Sequence, residues 1–346
     1  MTFTTQRRVG LQAVWILATA ACTKESPTAV ADEEPSPAHP AAVFPLSDAE
    51  NRGGWVYNTE VSDEFDGDTM DEERWFIVGK FEDGKPVYKH PDKPKKKVWK
   101  GRAPSQFSGR NHRLEDGILK LETRWEPDFP FSEEIHKPVF GEAMPYENIT
   151  TACLISRKPF LYGYIEIRCK AADTQVTSGF WSMGEGIEFD FFEAYGDGRG
   201  KKKHLDSELW WSIRDWKKLN GKPSYTERKD IGFRFADDFH VYGIEWDEDG
   251  IDYFVDGKRF TGVTAEKATA WARGNRDVPD DYDGYVATVP INLWLDNEIF
   301  PWHGIPKSKE DLELNSPEGE KGDGVVDFEI DYVRVWQKKP ATDAGE

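Results

Sequence analysis

Three carboxylates, Glu188, Asp190 and Glu193, stand in the run GIEFDFFEAYGDG (186–198), separated by Phe189, Phe191 and Phe192. A strand sends successive side chains to opposite faces. Glu188 and Asp190 keep that period, and Glu193 misses it by one residue. An inward carboxylate without a partner is costly. The run therefore predicts a β-bulge, in which one extra residue resets the alternation and returns Glu193 to the face of the other two acids. A retaining glycosidase needs two carboxyls ~5–5.5 Å apart across the scissile bond, one as nucleophile and one as acid/base. At ~3.3 Å per residue the α-carbons of Glu188 and Glu193 would lie about 13 Å apart, so their side chains meet only on a concave face. Asp190, between them, would hydrogen-bond one glutamate and help keep the acid protonated through like-charge coupling. The spacing by itself fits a solvated acidic face or a calcium site equally well.

The elements that must position these acids read as strands. GILKLETRW alternates Leu119, Leu121 and Thr123 against Lys120 and Glu122 after the turn EDG. TTACLISR and YGYIEIRCK are further strands. FHVYGIEWDEDGIDYFVDGKRF reads as two hairpins in series, with glycines where the turns need positive φ. VDFEIDYVRVWQ closes the body with strict alternation. Amphipathic helical windows are few and short, SKEDLEL being a candidate. Many short strands joined by Gly/Asp turns predict an all-β sandwich or barrel.

Composition narrows the partners. The 346 residues include 14 Trp, 21 Phe and 12 Tyr at a mean hydropathy of −0.70. Many tryptophans in a polar chain suit a β core or a sugar-binding surface, since aromatic faces pack on pyranose rings. The net charge of −19 argues against nucleic acid, whose phosphates need a basic field. Two basic clusters run against it: Lys93, Lys95, Lys96, Lys97 and Lys100, then Lys201, Lys202, Lys203 and His204. The second follows Glu193 closely, and beside the cleft it would favour an anionic substrate.

Arg7 and Arg8 precede the apolar run VGLQAVWILATAA, which ends before Cys22. This is a secretory signal pattern. Its ending resembles a bacterial lipoprotein signal, with Cys22 as the lipidated residue, although Thr19 stands where Leu is usual; ordinary cleavage beside Ala20 or Ala21 is the other reading. The expected location is extracellular, periplasmic or at the outer membrane, with contact to a membrane only through a lipid on Cys22. Residues 23–45 read as a disordered tether, 46–338 as one domain and 339–346 as a loose tail. Cys153 and Cys169 flank a turn-like run, which allows a disulfide on adjacent strands or two buried thiols. Cysteines at metal-ligand spacing are absent.

EFDFFE resembles the E-x-D-x-x-E signature of glycoside hydrolase family 16, in the bulged form found in laminarinases and algal galactanases. SDEFDGDTMDEERW (62–75), SRKPFLYGYIEIRCKA followed by SGFW, FHVYGIEWDEDGIDYFVDGK (239–258) and IDYVRVW (330–336) are also similar to that family's segments. The resemblance covers about 62–337. It implies a β-jelly roll with a concave cleft and retention of configuration, Glu188 as nucleophile, Glu193 as general acid/base and Asp190 as the assisting carboxylate. Phe189, Phe191 and Phe192 depart from the family, where aliphatic residues are commoner. No cofactor is required by this chemistry; a structural calcium would be compatible with such a jelly roll, and the sequence names no ligands for it.

WKGRAPSQFSGRNHRLEDGILKL (99–121) and INLWLDNEIFPWHGIP (291–306) resemble the red-algal galactanase branch. By that likeness Trp99, Arg102 and Gln106 belong near the cleft, and Trp294, Glu298, Trp302 and His303 at sugar subsites. His303 is taken as functional because a Pro/Gly-rich loop gives little reason to bury an imidazole. Trp181 is expected as a subsite floor. Alternation lets only one of Trp210 and Trp211 face the cleft, and Trp211 is taken as that one, with Arg214. Arg and Lys near a sugar cleft favour sulfate esters. The expected function is an endo-acting retaining hydrolase of β-1,4 bonds in agar, porphyran, carrageenan or furcellaran. An endo-1,3-β-glucanase of the same family, a non-catalytic sugar-binding jelly roll and a structural surface protein are the alternatives.

Overall fold

Period-two alternation over most of the body dictates extended structure. The computed structural model describes residues 43–90, 97–137, 141–198 and 204–338. The first half carries β1 (Trp55–Tyr57), β2 (Trp75–Ile77), β3 (Phe81–Glu82), β4 (Lys85–Pro86), β5 (Ser105–Phe107), β6 (His112–Glu115), β7 (Ile118–Trp125), β8 (Ile149–Thr151) and β9 (Cys153–Ser156). Next come β10 (Gly163–Lys170), β11 (Thr177–Gly184), β12 (Ile187–Tyr195), β13 (Glu208–Asp215), β14 (Lys222–Asp230), β15 (His240–Trp246), β16 (Gly250–Val255) and β17 (Lys258–Thr264). Helix α1 (Ala265–Asn275), β18 (Ile291–Glu298), the short α2 (Lys309–Leu312) and β19 (Val325–Lys338) complete the order.

Two sheets result. One runs β17-β16-β15-β10-β19-β7-β8-β5, with β1 on β19 and β6 on β7; the other runs β14-β13-β12-β11-β18-β9-β2. Their facing sides share one core: Ile165, Ile167, Val333 and Val335 from the first meet Phe180, Phe189, Phe191, Trp211, Ile213, Leu293 and Leu295 from the second. The architecture is all-β, the sandwich of the two forms that the alternation allows and the jelly roll that the family resemblance implies. The two hairpins in series are β15, β16 and β17, each antiparallel to the next. SKEDLEL forms α2, capped by the Ser308 side chain.

Of the two readings offered for Cys153 and Cys169, the buried thiols hold and the disulfide on adjacent strands does not: β9 and β10 belong to opposite sheets, and both thiols are buried and free. Helix α1 is unforeseen in the sequence reading. Its signal is there in retrospect, since Thr264 accepts a hydrogen bond from the Lys267 N–H at the N-cap, ahead of an Ala-rich run. Among the described residues no helix is long and apolar enough to cross a membrane. The signal, most of the tether, the tail, Lys93, Lys95, Lys96 and Lys201–Lys203 lie outside the described residues.

Candidate active site

The second sheet turns its outer side to a cleft of about 860 Å³. Four strands build its floor by the same alternation. On β12, Phe189, Phe191 and Phe192 enter the core, while Glu188, Asp190 and Glu193 all line the cleft. The reset is a bulge. Trp181 of β11 pairs with Asp190 and Phe180 with Phe192, leaving Phe191 as the extra residue. Beyond it Glu193 faces Gly179, as the broken count requires.

On β13, Leu209, Trp211 and Ile213 point into the core, so Trp210 and Arg214 face the cleft. Register puts Arg214 opposite Glu188 and Ser212 opposite Asp190. The guanidinium consequently spans two acids: its Nε donates to Asp190 Oδ2 at 2.7 Å and lies 3.2 Å from Glu188 Oε1. Ser212 Oγ also donates to Asp190. Glu188 Oε2 accepts from the Trp216 indole N–H at 2.8 Å.

On β18, Trp294, Asp296 and Glu298 share the cleft face. Gly179 sits between Glu193 on one side and Asp296 on the other. A Cβ at 179 would lie 2.4 Å from Asp296 Oδ1, so the glycine makes room for the buried carboxyl. Asp296 Oδ2 is buried without a hydrogen bond. Glu298 is held by Arg102, whose Nε donates to Oε2 at 2.6 Å; the guanidinium also stacks 4.3 Å from the Phe300 ring centre.

This crowding shifts the acids. Burial first, then the charge of Asp190, pushes Glu193 up to about 7, against the pull of Arg214 and Arg102. The same two causes carry Glu188 well above the usual carboxylate range, with Arg214 and the Trp216 N–H opposing them. Burial and then Glu298 push Asp296 well up. Burial raises Glu298 too, and Arg102 opposes it. Among the described residues no salt bridge reaches Glu193, whereas Glu188 has a donor on each oxygen, and those donors favour its charged form.

Aromatic walls flank the acids. Trp181 and Trp294 stack at 4.4 Å, with Trp99 set edge-on to Trp181 at 6.3 Å. At the other end Trp210 and Trp302 lie 5.9 Å apart, and Trp302 is 46% exposed.

Of the residues expected at the cleft, Trp99, Arg102, Trp181, Arg214, Trp294, Glu298 and Trp302 line it. Three do not. Trp211 is fully buried against Tyr225 and Tyr253, and its neighbour Trp210 takes the cleft position. Gln106 is buried behind the wall, donating to Tyr88 Oη at 2.7 Å and accepting from the Ser132 N–H at 2.8 Å. His303 is buried against Tyr195 at 4.6 Å; tilted aromatic packing supplies the burial that its loop did not announce. Lys100 lies in the wall, bonded to Ser132 and paired with Glu134. Trp216 and Asp296 escaped the sequence reading, and Trp210 was its rejected alternative. Among the described residues no group of three His, Cys, Asp or Glu side chains is arranged to hold a metal ion.

Residues 55–338 match the family model described as "Beta-porphyranase A-D, GH16 domain". Beta-porphyranase B of Zobellia galactanivorans is 26% identical over 301 residues, covering 82% of this chain and 85% of that protein. The crystal structure of porphyranase B from Z. galactanivorans aligns with a TM-score of 0.57 at 24% identity, over 82% of this chain and 92% of the other. Beta-agarase A from Z. galactanivorans aligns with a TM-score of 0.59 at 18% identity, over 82% and 92%. At these identities the structural likenesses show a shared fold.

Proposed function

The chain belongs to glycoside hydrolase family 16 and is a glycosidase, and from that premise we propose that it is an exported, retaining endo-β-galactanase acting on red-algal galactans. The observation that carries the reading is the bulge at Phe191, which sets Glu193 on the cleft face with Glu188 and Asp190. Glu188, charged and held by Arg214 and Trp216, attacks the anomeric carbon. Glu193, which holds its proton up to about pH 7, gives that proton to the leaving oxygen. A covalent glycosyl–enzyme forms; Glu193, now a base, then takes a proton from the water that releases it. Asp190 keeps Arg214 in place and, by its charge, raises the proton affinity of Glu193.

Stacked Trp181 and Trp294, with Trp302 at the other end, support an extended chain of sugar units and therefore internal cleavage. Porphyran comes first among the galactans because the matching family model is that of porphyranases; agar, carrageenan and furcellaran follow. Arg7, Arg8 and the apolar run ending at Cys22 support export, with Cys22 as the point of lipid attachment.

The test is mass analysis of products from porphyran, agar, carrageenan, furcellaran and laminarin, beside Glu188→Gln. Oligosaccharides of several lengths from a galactan, retained anomeric configuration and on the order of 10⁴-fold loss in the variant are expected. Cleavage of laminarin alone would refute the galactan reading, and an unimpaired Glu188→Gln enzyme would refute the assigned roles.

A further inference from the structure

Glu188 has donors of two kinds. Arg214 approaches Oε1, and the Trp216 indole N–H donates to Oε2 at 2.8 Å. Both residues flank Asp215, and the turn after it is tied down with unusual care. Asp215 is buried. Its Oδ1 accepts the N–H groups of Lys217 and Lys218, each at 2.8 Å, and its Oδ2 accepts the Tyr282 hydroxyl at 2.8 Å. Its carbonyl accepts from Gly221 at 3.0 Å, and the Trp216 N–H bonds the Gly186 carbonyl at 3.0 Å. Gly221, at φ +76°, lies beneath the indole: a Cβ there would come within 2.7 Å of ring atom Cη2. Arg214 Nη1 donates to the Gly221 carbonyl, which closes the turn back onto the catalytic strand pair.

Trp216 remains 37% exposed. Core packing therefore does not account for a tryptophan here, and a sugar platform would not require its nitrogen to face a carboxylate.

We propose that Trp216 is a positioning residue for the nucleophile, its indole N–H fixing the rotamer of Glu188 and favouring the charged form. The inference rests on Glu188 being the nucleophile. The groups facing Glu188 are Asp190 from its own strand, Arg214 from β13 and Trp216 from the turn; the register neighbour on β11 is the uncharged Met183. The nearby Lys217–Glu185 pair, at 3.1 Å, is engaged with itself. Asp190 opposes the charge on Glu188, and Arg214 divides its pull between two acids. The indole is the neutral donor that serves Glu188 alone, so its loss should tilt Glu188 towards the protonated form.

The decisive comparison is Trp216→Phe, which keeps an aromatic ring and removes the N–H. Difference infrared spectroscopy of the unliganded protein reads the Glu188 carboxyl directly, with Glu188→Gln of each background as the blank. The midpoint should rise by about one pH unit. The acid limb of kcat/KM should move up by the same amount, with KM on the plateau changed by no more than about twofold. An unmoved midpoint refutes the role, and a raised KM with an unmoved midpoint assigns Trp216 to sugar stacking instead. Should Trp216→Phe fail to fold, 3-benzothienylalanine at 216 keeps the bicyclic shape without the N–H and is read the same way. Because the infrared titration needs no substrate, a wrong galactan assignment leaves it intact. A failed titration in an enzyme that cleaves galactan removes only this inference.

Discussion

Glutamine at position 193 should leave the protein more stable and almost inactive, and the gain should depend on pH in a calculable way. The folded carboxyl holds its proton up to about 7, against an ordinary value of 4.5. A difference of ~2.5 units corresponds to about 3 kcal/mol at 1.36 kcal/mol per unit. The sign follows from proton binding. Between pH 4.5 and 7 the folded state retains a proton that the unfolded chain has lost, so stability falls as pH rises through that window. Below it both states are protonated and the penalty vanishes; above it the penalty is complete. Glutamine does not ionise and escapes the penalty. Urea denaturation at pH 4 and pH 8 should therefore show Glu193→Gln and wild type nearly equal at the lower pH and separated by about 3 kcal/mol at the higher. In calorimetry the gain at pH 8 should be about 5 °C for a fold of this size. In the proposed mechanism the same proton gates the reaction, so kcat/KM of the wild type should fall tenfold per unit above about pH 7. A stability difference equal at both pH values, or a variant less stable at pH 8, would refute the electrostatic account of this site.

The other perturbations separate core from cleft. Trp211→Ala should cost about 3–5 kcal/mol by denaturant titration, whereas Trp302→Ala should leave stability within ~0.5 kcal/mol and raise KM for polysaccharide. Arg102→Met leaves Glu298 buried without its cation and should destabilise by about 3–5 kcal/mol; Glu298→Gln in the same chain should restore most of that, and a double-mutant cycle reads the coupling. Gly179→Ala drives a methyl into Asp296 Oδ1 and should cost about 1–3 kcal/mol, with a fall in kcat that Asp296→Ala partly reverses.

Strand alternation made much of this fold legible. The strict pattern of 326–337 lies in β19, and the turns DEDG and VDGK join β15, β16 and β17. The bulge was legible because an acid could not be left in a phenylalanine core. What alternation does not reveal is which face is wet. Trp211 and Arg214 stand three residues apart and cannot share a face of one strand; choosing Arg214 for the cleft fixes Trp210 as its companion, so parity alone held the correction. Gln106 and His303 failed for another reason. Their burial depends on Tyr88, Ser132 and Tyr195, partners distant in sequence that no local pattern predicts. Trp216 was hidden in the same way, since its bond to Glu188 spans 28 residues. Helix α1 was missed because its mixed Ala, Lys and Glu run shows little amphipathic contrast.

The five carboxylates that β12 and β18 bring to the cleft, Glu188, Asp190, Glu193, Asp296 and Glu298, face two guanidinium groups, Arg102 and Arg214. That imbalance is what makes chemically identical side chains unequal. β13 pairs with β12 only as far as Asp190, so its one cation serves Glu188 and Asp190. Glu298 has Arg102. Glu193 and Asp296, on either side of Gly179, receive no ion pair of their own among the described residues, and neutrality is their cheapest state. The bulge therefore acts twice. It rotates Glu193 into the cleft, and it carries Glu193 past the end of the pairing that would have set a β13 side chain opposite it. The nucleophile and acid proposed above would be told apart by where one hydrogen-bonded ladder stops. Moving the bulge by a residue would return Glu193 to the core face, or bring it into the row that Arg214 serves; either change would remove the proton donor while preserving every residue.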